Sequence, residues 1–428
     1  MRNEPAERNE IRAPRPLPRE ARDAWGPFLR TMLWIGLNSF GGPIAQIGLM
    51  HQVAVEKRKW LSEAQFTHLL GFANVLPGPE ALELAIHLGY LRRGVPGGIA
   101  AGLLFLWPGF LSLALLGWMY VTYGHLALIS NALDGVRPVA IALVAAAAVR
   151  LSRQSLTGLW SHVLMAAAFL ASLAMNAPFL IVLVGCGLAG LALGTRLRDE
   201  PPLGRRSRHA FVAGLIVAAA VLVMHPWSAE QSASASAATS RSAGTQSREN
   251  ISTERLAEIA WINTRAALVT FGGAYTVLPY LREQFVEQRN WLTDAELADG
   301  LALGETTPGP LVSVAVFFSY LAGGLAGALV GGACIFLPSF LLVLSLGRHI
   351  EKLENLPYAL DLLRGFAAAT LGLIIALASQ LISYTPQNTF SIALTLAAFV
   401  AIWRFRVGAA VVVICGALSG MAYAALTT

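Results

Sequence analysis

The stretch NSFGGPIAQIGLM, residues 38–50, sets two adjacent glycines and a proline in the middle of an apolar run, and VTFGGAYTVLPYL, residues 269–281, sets a second glycine pair far downstream. Glycine pairs loosen a helix and add no apolar surface of their own. Their recurrence marks a repeat. Adding 231 to Phe40, Gly41, Gly42, Trp60, Leu61, Ala64, Pro77, Gly78 and Pro79 lands on Phe271, Gly272, Gly273, Trp291, Leu292, Ala295, Pro308, Gly309 and Pro310. After a one-residue slip the offset is 230 and pairs Tyr90 with Tyr320, Gly94 with Gly324, Pro108 with Pro338 and Phe110 with Phe340. At 227, DGVR (residues 134–137) meets DLLR (residues 361–364). The chain reads as one unit written twice.

Composition says where that unit lives. Of 428 residues, 55% are hydrophobic and 13% charged, with a mean hydropathy of +0.58, which is too apolar for a soluble protein of this length and predicts an all-α integral membrane protein. Stretches long enough to span about 30 Å of hydrocarbon fall at 25–50, 63–90, 97–123, 133–150, 160–176, 178–196 and 209–226, and again at 255–281, 291–321, 324–347, 358–382, 388–403 and 407–427. Residues 1–24, rich in arginine, acid and proline and without a signal-peptide core, read as a disordered cytoplasmic tail. Residues 227–254 are Ser/Ala-rich and read as a flexible linker between a first repeat, 25–226, and a second, 255–428. Cys186, Cys334 and Cys415 stand singly in apolar runs, so neither a disulfide framework nor a zinc site is indicated. The net charge of +6 comes from arginines dispersed among short loops, which argues against nucleic acid as a partner and for the lipid bilayer.

Basic residues are retained in cytoplasmic loops, and an internal N-terminus puts most arginine clusters there. EKRKW, residues 56–60, disagrees if segment 25–50 crosses. The conflict disappears if segments 25–50 and 63–90 dip in and return. Both crossing counts, seven or five, are odd, so the second repeat enters upside down, the inverted-repeat plan of secondary transporters. Backbone that leaves the helix at membrane depth is tolerated only inside protein or around a watery cavity. The glycine- and proline-broken segments, with Gly41, Gly42, Gly272, Gly273 and the two PGP turns (Pro77, Gly78, Pro79; Pro308, Gly309, Pro310), are therefore expected at a central site. The half-helices after Pro79 and Pro310 would aim free N–H groups into it, the outline of an anion site.

NVLPGPEALELAIHLGYLRRGVPGG (residues 74–98) and LALGETTPGPLVSVAVFFSYLAGG (residues 301–324), with FGGP and FGGAY, resemble the long-chain, two-domain chromate transporter family over essentially the whole chain apart from tail and linker. The resemblance implies a multi-pass bacterial inner-membrane protein that exports chromate and confers resistance, with no cofactor and no enzymatic step. Glu83 departs from it, standing where an amide is expected; an extra carboxylate there would alter coupling or selectivity.

A dianion needs more than two helix termini at roughly +0.5 charge each. Arg137 and Arg364, at matching repeat positions, are candidate cations; the competing reading makes each an interfacial ion pair with Asp134 or Asp361 three residues before it. Thr306 and Thr307 offer hydroxyls beside the second PGP turn, or bond their own backbone. Glu80 and Glu305, flanking the two turns, are candidates for proton coupling. Expulsion of two negative charges from an inside-negative cell gains roughly 4.6 kcal/mol at 100 mV, so no proton is strictly required. Two alternatives stand: a carrier for sulfate or another tetrahedral oxyanion, and, more remotely, an intramembrane metal-dependent enzyme using Glu80, Glu83 and His87 on one helical face. The second repeat offers only LVSVAVFF at that place, so no metal site is assigned. A homodimer is a candidate assembly.

Overall fold

The computed structural model describes residues 24–156, 159–196, 252–271, 274–346, 357–384 and 388–427. The tail to residue 23, nearly all of the linker, the apolar segment 209–226, and Gly272 with Gly273 lie outside the described residues. Among those described are fifteen α-helices and no strand. The first copy supplies α1 (Trp25–Leu37), α2 (Gly42–His51), α3 (Glu63–Val75), α4 (Glu80–Arg93), α5 (Val95–Tyr123), α6 (Ala127–Ser155), α7 (Leu159–Met175) and α8 (Phe179–Arg196). The second supplies α9 (Thr253–Val269), α10 (Leu278–Arg282), α11 (Asp294–Glu305), α12 (Val314–Leu346), α13 (Pro357–Tyr384), α14 (Thr389–Arg404) and α15 (Ala409–Thr427).

The copies agree in backbone detail where their side chains differ. A π-helical turn follows α2 at Gln52–Lys57 and α10 at Glu283–Gln288, 231 residues on. Lys59 and Asn290 close these turns in the left-handed region, at φ 52° and 51°. The Trp60 N–H then donates to the Ala54 carbonyl at 2.7 Å, and the Trp291 N–H to that of Phe285 at 2.8 Å. Capping boxes start the next helices, Ser62 with Gln65 before α3 and Thr293 with Glu296 before α11. Gly94 separates α4 from α5, and its counterpart Gly324, also left-handed, kinks α12.

Among the described residues five helices are long and apolar enough to cross a membrane: α5, α12 and α15, with the greater parts of α6 and α13. On α5 the outward stripe Ile99, Leu103, Trp107, Leu111, Leu115 and Trp118 is exposed and wholly apolar, a surface that lipid and not water would cover. Its inner face includes Gly98, Gly102 and Gly117, which let α12 approach closely. There the packing is reciprocal. Phe340 of α12 rests on Gly102 of α5, and Phe110 of α5 rests on Gly332 of α12.

The outer helices are exchanged between copies. α7 and α8 pack on α13 of the second copy, whereas α14 and α15 pack on α6 of the first. Backbones nearly touch at Gly135 and Gly420, where α6 meets α15. Neither copy buries its own long helix alone, so the two sequence units fold as one body. The hairpins are unequally covered: α11 lies along α6 and α10 reaches α8 and α13, leaving Val277 and Leu278 fully buried. In the first copy Phe40 and Ile44, around the start of α2, stay exposed.

Candidate functional site

Helix α3 stops at Val75, the chain turns through Pro77, Gly78 and Pro79 with Gly78 at φ 143°, and α4 begins at Glu80. In the second copy α11 stops at Glu305, Gly309 takes φ 98°, and a 3₁₀ turn, Leu311–Ser313, leads into α12. Each turn is tied to the opposite copy. The Gly78 N–H donates to the carbonyl of Thr270, at the end of α9, and the Gly309 N–H to that of Ser39, at the end of α1, both at 2.9 Å. These four residues correspond at the same offset of 231. The hydroxyls of Ser39 and Thr270 donate one turn back, to the carbonyls of Ile35 and Ala266, both at 2.6 Å.

The long helices complete this seam. Gly109, next to the proline within α5, lies against the Pro308 carbonyl, and its counterpart Ser339, next to the proline of α12, lies against Gly78. Each PGP turn is thus held between a helix end and the long helix of the opposite copy. Gln46 on α2 adds an asymmetric clamp, its amide donating to the carbonyls of Gly309 at 2.5 Å and Ser39 at 3.1 Å. Gln46 was not legible as a site residue, because its counterpart at 277 is a valine.

The remaining candidates separate. Gly41 and Gly42, both left-handed, open α2, with Gly41 exposed. Thr306 and Thr307 donate to their own helix, to the carbonyls of Leu303 at 2.7 Å and Gly304 at 2.8 Å. Glu80 is partly exposed at the first position of α4. Glu305 is buried and accepts a hydrogen bond from Tyr275, just after the second glycine pair, with Arg150 of α6 within electrostatic reach. Their first-copy counterparts, Asn74 and Ile44, are both exposed, so the tip of that hairpin has no such tie.

Arg137 is occupied elsewhere. Its guanidinium holds Asp299 of α11 through two bonds of 3.0 and 3.1 Å and Asp134 through one of 2.7 Å, while Tyr120 donates to Asp299 at 2.9 Å. Asp299 is wholly buried. Arg364 sits 3.4 Å from Asp361 and is about half exposed, at 47%. Both arginines therefore make the i, i+3 ion pair. Among the described residues no three histidine, cysteine or acidic side chains group as metal ligands. Neither Glu83 oxygen, nor Nε2 of His87, makes a hydrogen bond.

Comparison with known proteins agrees with this geometry in extent. A chromate transport protein of Pseudomonas aeruginosa is 32% identical over 91% of this chain and 90% of its own. One from Cupriavidus metallidurans is 31% identical over 80% of this chain and 79% of its own. The Bacillus subtilis transporter YwrB is 31% identical over 137 residues, which is 32% of this chain but 68% of that protein, the extent of a single copy. No solved structure matches this chain. The chromate transporter family model matches twice, at residues 27–191 and 257–421, once over each copy built around the seam, and the chain belongs to that family.

Proposed function

We propose that this protein is a secondary carrier that takes chromate from the cytoplasm at the seam between the two PGP turns and releases it outside a bacterial inner membrane, which confers resistance. The observation that supports this reading best is the reciprocal pair of bonds from Gly78 and Gly309, since a shared pocket between two copies is where alternating exposure is built. Length supports re-entrance: α3 and α4, of 13 and 14 residues, rise only about 20 Å each, short of a roughly 30 Å hydrocarbon layer. Charge supports inversion. The base of the first hairpin carries Lys57, Arg58, Lys59, Arg92 and Arg93 against Glu56 and Glu63, whereas the base of the second offsets Arg282 and Arg289 with Asp294, Glu287 and Glu258. Retention of basic residues on the cytoplasmic side puts the first base inside and the second outside.

For the anion, the opening amides of α4 at Glu80 and Ala81 precede its first internal bonds and face the turn, as helix N-termini do for oxyanions. Arg150 is the cation that the site would use, because Arg137 is consumed by Asp299 and Asp134. It is exposed, and of the three arginines on α6 and α13 named here it is the one near the second turn.

Everted vesicles holding the protein should accumulate radiolabelled chromate when the lumen is made positive, with sulfate competing weakly. Sulfate taken up in preference to chromate would reassign the substrate, and uptake of neither would remove the function. Topology gives a second expectation: cysteines placed at Lys59 and at Asn290, both exposed and at equivalent turns, should react with an impermeant thiol reagent from opposite faces. Labelling from one face only would contradict the inverted arrangement.

A further inference from the structure

The seam poses an electrostatic problem that the carrier reading leaves open. Three carboxylates, Glu80, Glu83 and Glu305, surround the PGP turns of a site meant for a dianion. Two have support: Glu80 is partly exposed at a helix N-terminus, and Glu305 has the Tyr275 hydroxyl and Arg150. Glu83 has neither. It is 1% exposed, neither oxygen makes a well-formed hydrogen bond, and Oε1 and the Ser339 hydroxyl together fill the space where a side chain on Gly78 would begin.

The charged groups around it are accounted for. On α4 itself, His87 stands one turn further on, buried between Phe72 and Tyr90 at ring distances of 5.5 and 6.1 Å. Arg92 and Arg93, at the far end of α4, stack on Trp60 and Trp25. From α3 comes His68, in electrostatic contact with His87. The titratable side chain of α2, His51, is bonded to Glu63 at 2.8 Å. Helices α5 and α12 bring only tyrosines and one cysteine. No lysine or arginine on these elements is placed to neutralise Glu83.

Resting on the carrier function proposed above, we propose that Glu83 is the proton site of this protein and that its proton travels with the oxyanion in the same direction. An ionised carboxylate buried with only the Ser339 hydroxyl beside it is strongly disfavoured, and a dianion arriving beside it would be repelled. Protonated, the same group is a hydrogen-bond donor facing the turn. Water on the loading side gives up one proton to the carboxylate, and the neutral acid then admits the oxyanion. On the far side the anion leaves and the proton returns to water. The second copy carries an uncharged residue at this place, Ser313 or Val314 according to the offset used. One proton thus accompanies one dianion, and each cycle moves one net negative charge. His87 is the next station for that proton, one helical turn away.

Everted vesicles with a luminal pH dye test this. Across the alkaline range in which chromate stays a dianion, uptake should rise severalfold with each unit of external acidification, and chromate entry should acidify the lumen. In Glu83→Gln, which mimics the neutral acid, the chromate that enters should do so without pH dependence and without luminal acidification, and Glu83→Asp should restore both. Wild-type uptake with a flat pH profile, luminal alkalinisation on chromate entry, or dependence on sodium in place of protons would each overturn the inference and leave the carrier reading standing. Absence of chromate uptake in wild type and Glu83→Gln alike would instead remove the carrier reading itself.

Discussion

Gly78→Ala is expected to reduce chromate flux by about 100-fold or more while the protein still inserts and remains monodisperse in detergent. Two effects add. At φ 143° any L side chain is strained, which by itself costs roughly 1–3 kcal/mol. The new methyl would also point at Glu83 Oε1, 2.5 Å away, and at the Ser339 hydroxyl, both of which are confined by burial. The turn must then move, and the bond from its N–H to Thr270 moves with it. Gly309→Ala provides the internal comparison. Its φ of 98° imposes similar strain, but the added carbon finds Gly109 and Phe105 backbone at 3.7 and 3.8 Å, ordinary contact. A loss nearer tenfold is expected there, on the basis of strain of about 1.4 kcal/mol per decade. Flux measured in vesicles at matched protein levels separates the two. Wild-type flux in Gly78→Ala would mean that the turn is not part of the transport path.

The contrast between these two glycines also shows how far the residues could be read in advance. The offset of 231 exposed the repeat because it is a local, periodic signal, and it persists in the folded chain down to the left-handed residues Lys59 and Asn290. Proline and glycine marked where helices end, since both act on their own backbone. Nothing in one dimension said that Gly78 would bond Thr270 and Gly309 would bond Ser39, because those partners come from the other copy. Gln46 and Asp299 were silent for the same reason: the meaning of each is set by a partner 263 or 162 positions away. The exchange of outer helices between copies is likewise a property of packing among small residues that occur everywhere in this chain.

Arg137 is where that distinction has the largest consequence for stability. Arg137→Met leaves Asp299, wholly buried, with the Tyr120 hydroxyl as its remaining bond, and removing one partner of a buried ion pair costs roughly 3–5 kcal/mol. A clear fall in the thermal midpoint of the detergent-solubilised protein is expected, with lower yield from the membrane. Asp299→Asn should be milder, because Arg137 keeps Asp134 at 2.7 Å and is itself partly exposed. The double replacement Arg137→Met with Asp299→Leu removes both charges together and should recover most of the lost stability, since a matched apolar pair often equals or exceeds the ion pair it replaces. Chromate uptake should follow the amount of folded protein throughout this series. If Arg137 instead gripped the substrate, Arg137→Met would fold normally and fail to take up chromate, and the double replacement would rescue nothing. The comparison works because Asp299 lies on α11, the arm that carries the second PGP turn, while Arg137 lies on α6: the pair braces one copy's hairpin against the other copy's long helix.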